Sequence, residues 1–95
     1  MAKDAADVWR ECFEKWPTEI ERRGVVVTSF NEQIPFESFL SSPDMVLLER
    51  RAPDTVGARL VLVGYQFIQA IKIVDVVKPK AFLGMGFSPA PAGKK

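Results

Sequence analysis

Apolar residues in the first sixteen positions recur at helical spacing, and from Gly24 onward the period drops to two. In "KDAADVWRECFEKW" one stripe holds Ala5, Val8, Trp9, Cys12, Phe13 and Trp16, with Arg10, Glu11, Glu14 and Lys15 opposite. That pattern predicts an amphipathic helix. Asp4 or Asp7 supplies an acceptor for the free amides at its start and complements its dipole. Pro17 disfavours helical geometry at Trp16, so the helix should break there and lie back across the following strands. "TEIERRG" predicts a second short turn, with Thr18 and Glu21 as a capping box and Gly24 as a left-handed stop.

Five strands are predicted after it. "GVVVTSF" is β-branched, and "NEQ" turns the chain. "IPFESFL" alternates, with Ile34, Phe36, Ser38 and Leu40 on one face and Pro35, Glu37 and Phe39 on the other. "SSPD" is turn chemistry before the third strand, "MVLLERR", and "APDTVG" is a hairpin connection. "ARLVLV" and a long "FIQAIKIVDVV" complete the set around a tight Gly64-Tyr65-Gln66 turn. The expected fold is mainly β: an N-terminal α-helix followed by a five-stranded, strongly bent antiparallel small barrel. Residues 1–23 form the helical segment, 24–77 the barrel and 78–95 a tail rich in Pro, Gly and Ala. The last eight residues should be disordered, while "AFLGMGF" could dock on a surface.

Ninety-five residues make one domain with a thin core, which extra burial through assembly would help. Hydrophobic residues at 47% and charged residues at 26% are a globular balance, and a net charge of +1 is small for a dedicated nucleic-acid binder. Cys12 is the one cysteine and there is no histidine, which excludes an intramolecular disulfide, cysteine-based metal sites and histidine-dependent triads. No phosphate loop accompanies the carboxylates, so neither an enzyme nor a cofactor is expected. No apolar run is long enough to span a membrane, and the start lacks the apolar core of a signal peptide, which together point to a cytoplasmic setting.

The strand order and two short motifs resemble the Sm-like family, the Sm, LSm and Hfq proteins, over roughly residues 18–77. The first motif has a glycine in a bent second strand, then an aspartate loop. "IPFESFLSSPDMVLLER" is similar, with Ser38 at the glycine position and Asp44 matching the aspartate. The second is an aliphatic residue, Arg-Gly, and an aliphatic strand. "LVGYQFIQAI" is similar, with Gly64 matching and Val63 in place of the arginine. The resemblance implies an SH3-type barrel that closes into a homo-oligomeric ring of about five to seven copies. It also implies single-stranded RNA held around the pore. The usual Asn after the aspartate loop is missing, as is the Arg, so the chain reads as a divergent member with weak RNA binding.

On that reading the RNA-facing candidates are Asp44, Gly64, Tyr65, Gln66, Arg22 and Arg23. Asp44, Tyr65 and the arginine pair also have plainer alternatives. Asp44 would cap the turn after Pro43, Tyr65 would contact a neighbouring subunit, and the arginine pair would complement a helix dipole. Arg50, Arg51 and Arg59 form a basic group offset by Glu49 and Asp54. In Sm-like rings the fourth strand pairs with the neighbour's fifth, which places Leu60, Leu62, Phe67, Ile68, Ala70, Ile71 and Ile73 near the seam. Two other functions fit the same pattern: a structural or adaptor ring without nucleic acid, and a monomeric SH3-like barrel that binds peptides. In both ring readings the principal partner is another copy of the chain.

Overall fold

Helix α1, Ala5–Glu14, begins where Asp4 accepts from the Asp7 amide and ends two residues before Trp16, as Pro17 requires. A computed structural model describes residues 3–88. The side chains of Ala6, Trp9 and Trp16 pack against the core, and Phe13 lies within it. The buried stripe is thus rotated from the expected one, leaving Val8 48% exposed. Residues 18–23 form turns and no second helix, with the Ile20 amide donating to the Pro17 carbonyl. Gly24 is no left-handed stop: it opens strand β1 and pairs with Phe36. A Cβ there would stand 2.5 Å from the Lys72 carbonyl oxygen, so close strand approach explains the glycine.

Six strands form, where five were expected, and they make two three-stranded antiparallel sheets, not a closed barrel. One sheet holds β2 (Gln33–Phe36), β1 (Gly24–Thr28) and β6 (Ile68–Lys72) in that order. The other holds β3 (Ser38–Ser41), β4 (Met45–Glu49) and β5 (Leu60–Gly64). The extra strand arises because "IPFESFL" is divided at Glu37. That residue carries the chain from the first sheet to the second, its amide donating to the Glu49 carbonyl at 2.9 Å. Crossing costs one step of the alternation. Ile34 and Phe36 are buried, but the next inward residue is Phe39, and Leu40 is 66% exposed. The predicted face shared by Ser38 and Leu40 with Ile34 and Phe36 is therefore reversed beyond Glu37.

The long fifth strand is also shorter than its sequence. β6 stops at Lys72, which pairs with Val25, because β1 offers no partner beyond Gly24. Residues 73–77 keep a strand-like alternation of half-buried and exposed positions without a strand beside them. Asp75 is held by Arg23 instead. Where β1 meets β6, the register shifts between Val27 and Thr28, which adds local twist.

The turns are built by small polar groups. Thr28 is buried, and its Oγ1 accepts from the amides of Phe30 and Glu32 at 3.2 Å each, with Asn31 in the left-handed region. In the β4–β5 connection Asp54 Oδ1 accepts from the amides of Val56 and Ala58, and Gly57 takes φ +88°. These backbone hydrogen bonds, chiefly that from Ala58, hold the Asp54 carboxyl below its usual range. A 3₁₀ turn, Tyr65–Phe67, joins β5 to β6, and a second, Pro79–Met85, follows the strands. The expected disorder of the last eight residues falls, beyond Ser88, outside the described residues.

α1 closes the gap between the sheets with aromatic rings. Phe13 is 2% exposed and meets Phe39 edge-on at 4.8 Å and Tyr65 at 6.2 Å, while Trp16 meets Phe39 at 5.1 Å. Such contacts add to the burial of each ring. Phe13→Ala should therefore cost about 3–5 kcal/mol in a urea titration followed by tryptophan emission. The same titration on Val8→Ala should move stability by less than about 0.5 kcal/mol, as for an exposed position.

Candidate functional site

Two of the loops expected to carry function meet at one end of the second sheet. Ser42, Pro43 and Asp44 turn the chain from β3 to β4, and Ser42 rather than Asp44 caps that turn. Its Oγ donates to the Met45 carbonyl at 2.9 Å and accepts from the Met45 amide at 3.1 Å. The exposed Asp44 offers its backbone carbonyl to the Tyr65 amide at 3.5 Å, which brings it beside Gly64 and Gln66. Gly64 pairs with Met45 across the strands and is half-buried, whereas Gln66 is exposed.

Tyr65 is not available to a base. It is 1% exposed, and its hydroxyl donates to the Ser42 carbonyl at 2.8 Å. The ring is part of the core around Phe13, and its hydroxyl ties the Ser42 loop down. Burial pushes its pKa above the ordinary 10.0, against an opposing effect of the Ser42 hydrogen bond.

The arginine pair is engaged within the chain. Arg22 Nη2 donates to the Phe39 carbonyl at 2.7 Å, with its guanidinium carbon 3.9 Å from the centre of the Phe39 ring. Arg23 grips Asp75 with Nε and Nη2, the shortest contact being 2.6 Å, and this partner raises its pKa. Both lie at the Gly24 end of β1. The Gly64–Gln66 turn adjoins the other end, where the Ser29 amide donates to the Phe67 carbonyl. The structure therefore joins Asp44, Gly64 and Gln66, and keeps Arg22 and Arg23 apart from them. Arg50 and Arg59 meet only through backbone, the Arg50 amide donating to the Arg59 carbonyl at 2.8 Å.

The residues named for a seam divide into two groups. Ile68 is buried in the core and Ile71 packs against it, both inside their own chain. Leu60 and Leu62 are 54% and 61% exposed, Phe67 is exposed, and Ala70 and Ile73 are half-buried. The leucines belong to a larger surface that the sequence reading missed. Leu40 pairs with Leu47, and Leu47 with Leu62, so the three leucines form one row across the outer face of β3–β4–β5. Met45 and Leu60 flank that row. A signal for it was present: "MVLLE" and "LVLVG" are apolar at both alternating positions, where a half-solvated antiparallel strand would alternate with polar residues.

β5 is hydrogen-bonded only to β4, and β6 only to β1, so each leaves one edge free among the described residues. Phe67 ends the 3₁₀ turn just before β6, with its ring 5.6 Å from that of the exposed Phe30. No group of three or more His, Cys, Asp or Glu among the described residues is placed to hold a metal ion. Among the same residues no helix is long and apolar enough to cross a membrane. Cys12, on α1, is half-buried, and burial pushes its thiol up to about 11. Comparison with known proteins yields no match, whether to a family model, a curated protein or a solved structure.

Tyr65 is the one tyrosine in the chain, so absorbance of its phenolate reads this site directly. The folded protein should keep its proton above pH 10, while the unfolded chain releases it there. The raised pKa thus contributes no instability below pH 10, and stability should fall as pH rises past it. Tyr65→Phe removes the hydroxyl that the Ser42 carbonyl accepts from and should cost about 1–2 kcal/mol by urea titration, abolishing the absorbance change.

Proposed function

We propose that the chain is a self-assembling, Sm-like ring protein of about five to seven copies that serves as a structural or adaptor ring. The observation that carries this reading is the outer face of β3–β4–β5, where Leu40, Met45, Leu60 and Leu62 are exposed beside the free edge of β5. Fully burying one leucine contributes about 1.5–3 kcal/mol relative to leaving it in water. An apolar free edge also invites strand addition, and Lys72 is the one charged residue within the five-residue β6 to blunt it. Pairing β5 of one subunit with β6 of the next satisfies both edges at once, and identical head-to-tail contacts close into a ring.

A structural ring is favoured over an RNA-binding one by the fate of the expected contacts. Tyr65 is in the core, Arg22 and Arg23 are occupied by Phe39 and Asp75, and Val63 points inward. Asp44 and Gln66 remain exposed, and they bring no positive charge to a phosphate backbone.

Multi-angle light scattering at micromolar concentration should return a single mass of about five to seven chains. Leu62→Glu, at a position exposed within one chain, should leave the helical and strand circular dichroism intact and lower the mass to one or two chains. The purified particle should carry no nucleic-acid absorbance. A stable monomer of the unmodified protein would sink the assembly reading, and tightly retained RNA would restore the alternative.

A further inference from the structure

The 3₁₀ turn Pro79–Met85 and the residues after it lie over a groove between α1 and the end of β6. Beneath them is a hollow of about 230 Å³ whose floor is Trp9, Cys12, Trp16, Ile71 and Ile73. Phe82, Met85 and Phe87 form its roof. A second hollow of about 320 Å³ shares Trp9, Cys12, Met85 and Phe87 with the first and reaches Lys3, Glu11 and Lys15 at the surface. An apolar interior thus opens onto a charged mouth.

Two further facts bear on what could enter. Among the described residues no hydrogen bond joins residues 78–88 to the rest of the chain, although Ala81 and Gly86 donate within the segment. No hydrogen bond among the described residues fixes the roof, so it can shift around a guest without breaking one. At the mouth, Lys3 and Lys15 both lie against Glu11, at 2.6 and 3.8 Å. One carboxylate between two ammonium groups leaves one positive charge unbalanced. Glu11 is held below the usual carboxylate range, first by its hydrogen bond from Lys3, and so keeps its charge at neutral pH.

We infer that this groove is a binding site for a small amphipathic monocarboxylate, its tail between α1 and the Pro79–Met85 turn and its carboxylate at Lys3 and Lys15. The tail size follows from the volume. An apolar cavity of ~150 Å³ takes up benzene, so a hollow of this size suits a phenyl ring with a short arm or an alkyl chain of about eight carbons. The charge at the mouth selects an anion over a cation, and a floor with almost no exposed polar surface disfavours a sugar or a nucleotide. The site lies on α1, outside the leucine face, and needs no second copy of the chain.

Both tryptophans of the chain line the floor, so their emission is a direct readout. The full-length protein is titrated with octanoate, octylammonium and octanol below their micelle concentrations. Octanoate should give a saturable change in emission and bind about two- to five-fold more tightly than octylammonium, the scale of one exposed charge pair. In Lys15→Glu, a change at an exposed side chain, that preference should reverse while the thermal unfolding curve stays in place. Lack of saturable binding by octanoate would overturn the site. Equal affinity for the anion and the cation would overturn the charged mouth, and with it the assignment of a carboxylate.

Discussion

Phe13 sits where α1, both sheets and the Tyr65 turn converge, and a chain this short has few other large side chains to fill that space. Its ring touches Phe39 on one sheet, Phe36 on the other, and Tyr65 between them. Two three-stranded sheets of four or five residues per strand cannot bury much surface by themselves. The helix supplies the missing layer. Trp16 lies beyond the end of α1, just before Pro17, and still stacks on Phe13, so a residue outside the helix adds to the same aromatic layer.

A second group of constraints comes from very small features. Gly24 lets β1 approach the Lys72 carbonyl, Thr28 turns the chain with a buried hydroxyl, and Ser42 and Tyr65 together hold the loop before β4. The Thr28 hydroxyl, which accepts from two amides, satisfies backbone groups that would otherwise be stranded near the core. The Arg23–Asp75 pair plays the corresponding part at the far end of β1, where β6 runs out of partner. Being exposed, that pair directs the chain more than it stabilises it.

The helix and the positions of most turns were legible because they depend on local spacing and on Pro, Gly, Asp and Ser. The strand count and faces were not. Whether Phe39 or Leu40 faces inward is decided at Glu37 by a hydrogen bond to Glu49, twelve residues away, and periodicity within "IPFESFL" contains no trace of it. The length of β6 is likewise a property of β1. At the candidate site, Asp44 and Gly64 were placed near one another by motif resemblance, and the structure joins them through Tyr65. The burial of Tyr65 itself was hidden, since it rests on a carbonyl in another loop. The leucine row was written in the sequence as doubled apolar positions, but doubled positions read equally well as a deep core.

The single residue between β2 and β3 has a bearing on how this chain can change over time. Substitutions on either side of Glu37 alter one contact each and can be absorbed one at a time. An inserted or deleted residue there would turn every side chain of β3 to the opposite face, putting Phe39 in water and Leu40 under Phe13. The same edit in the ten-residue connection between β4 and β5, whose shape is kept by Asp54 and Gly57, would alter only a loop. Length variation among related chains should therefore gather in that arm and spare the bend, so that the distance from Phe36 to Phe39 serves as a ruler for aligning them.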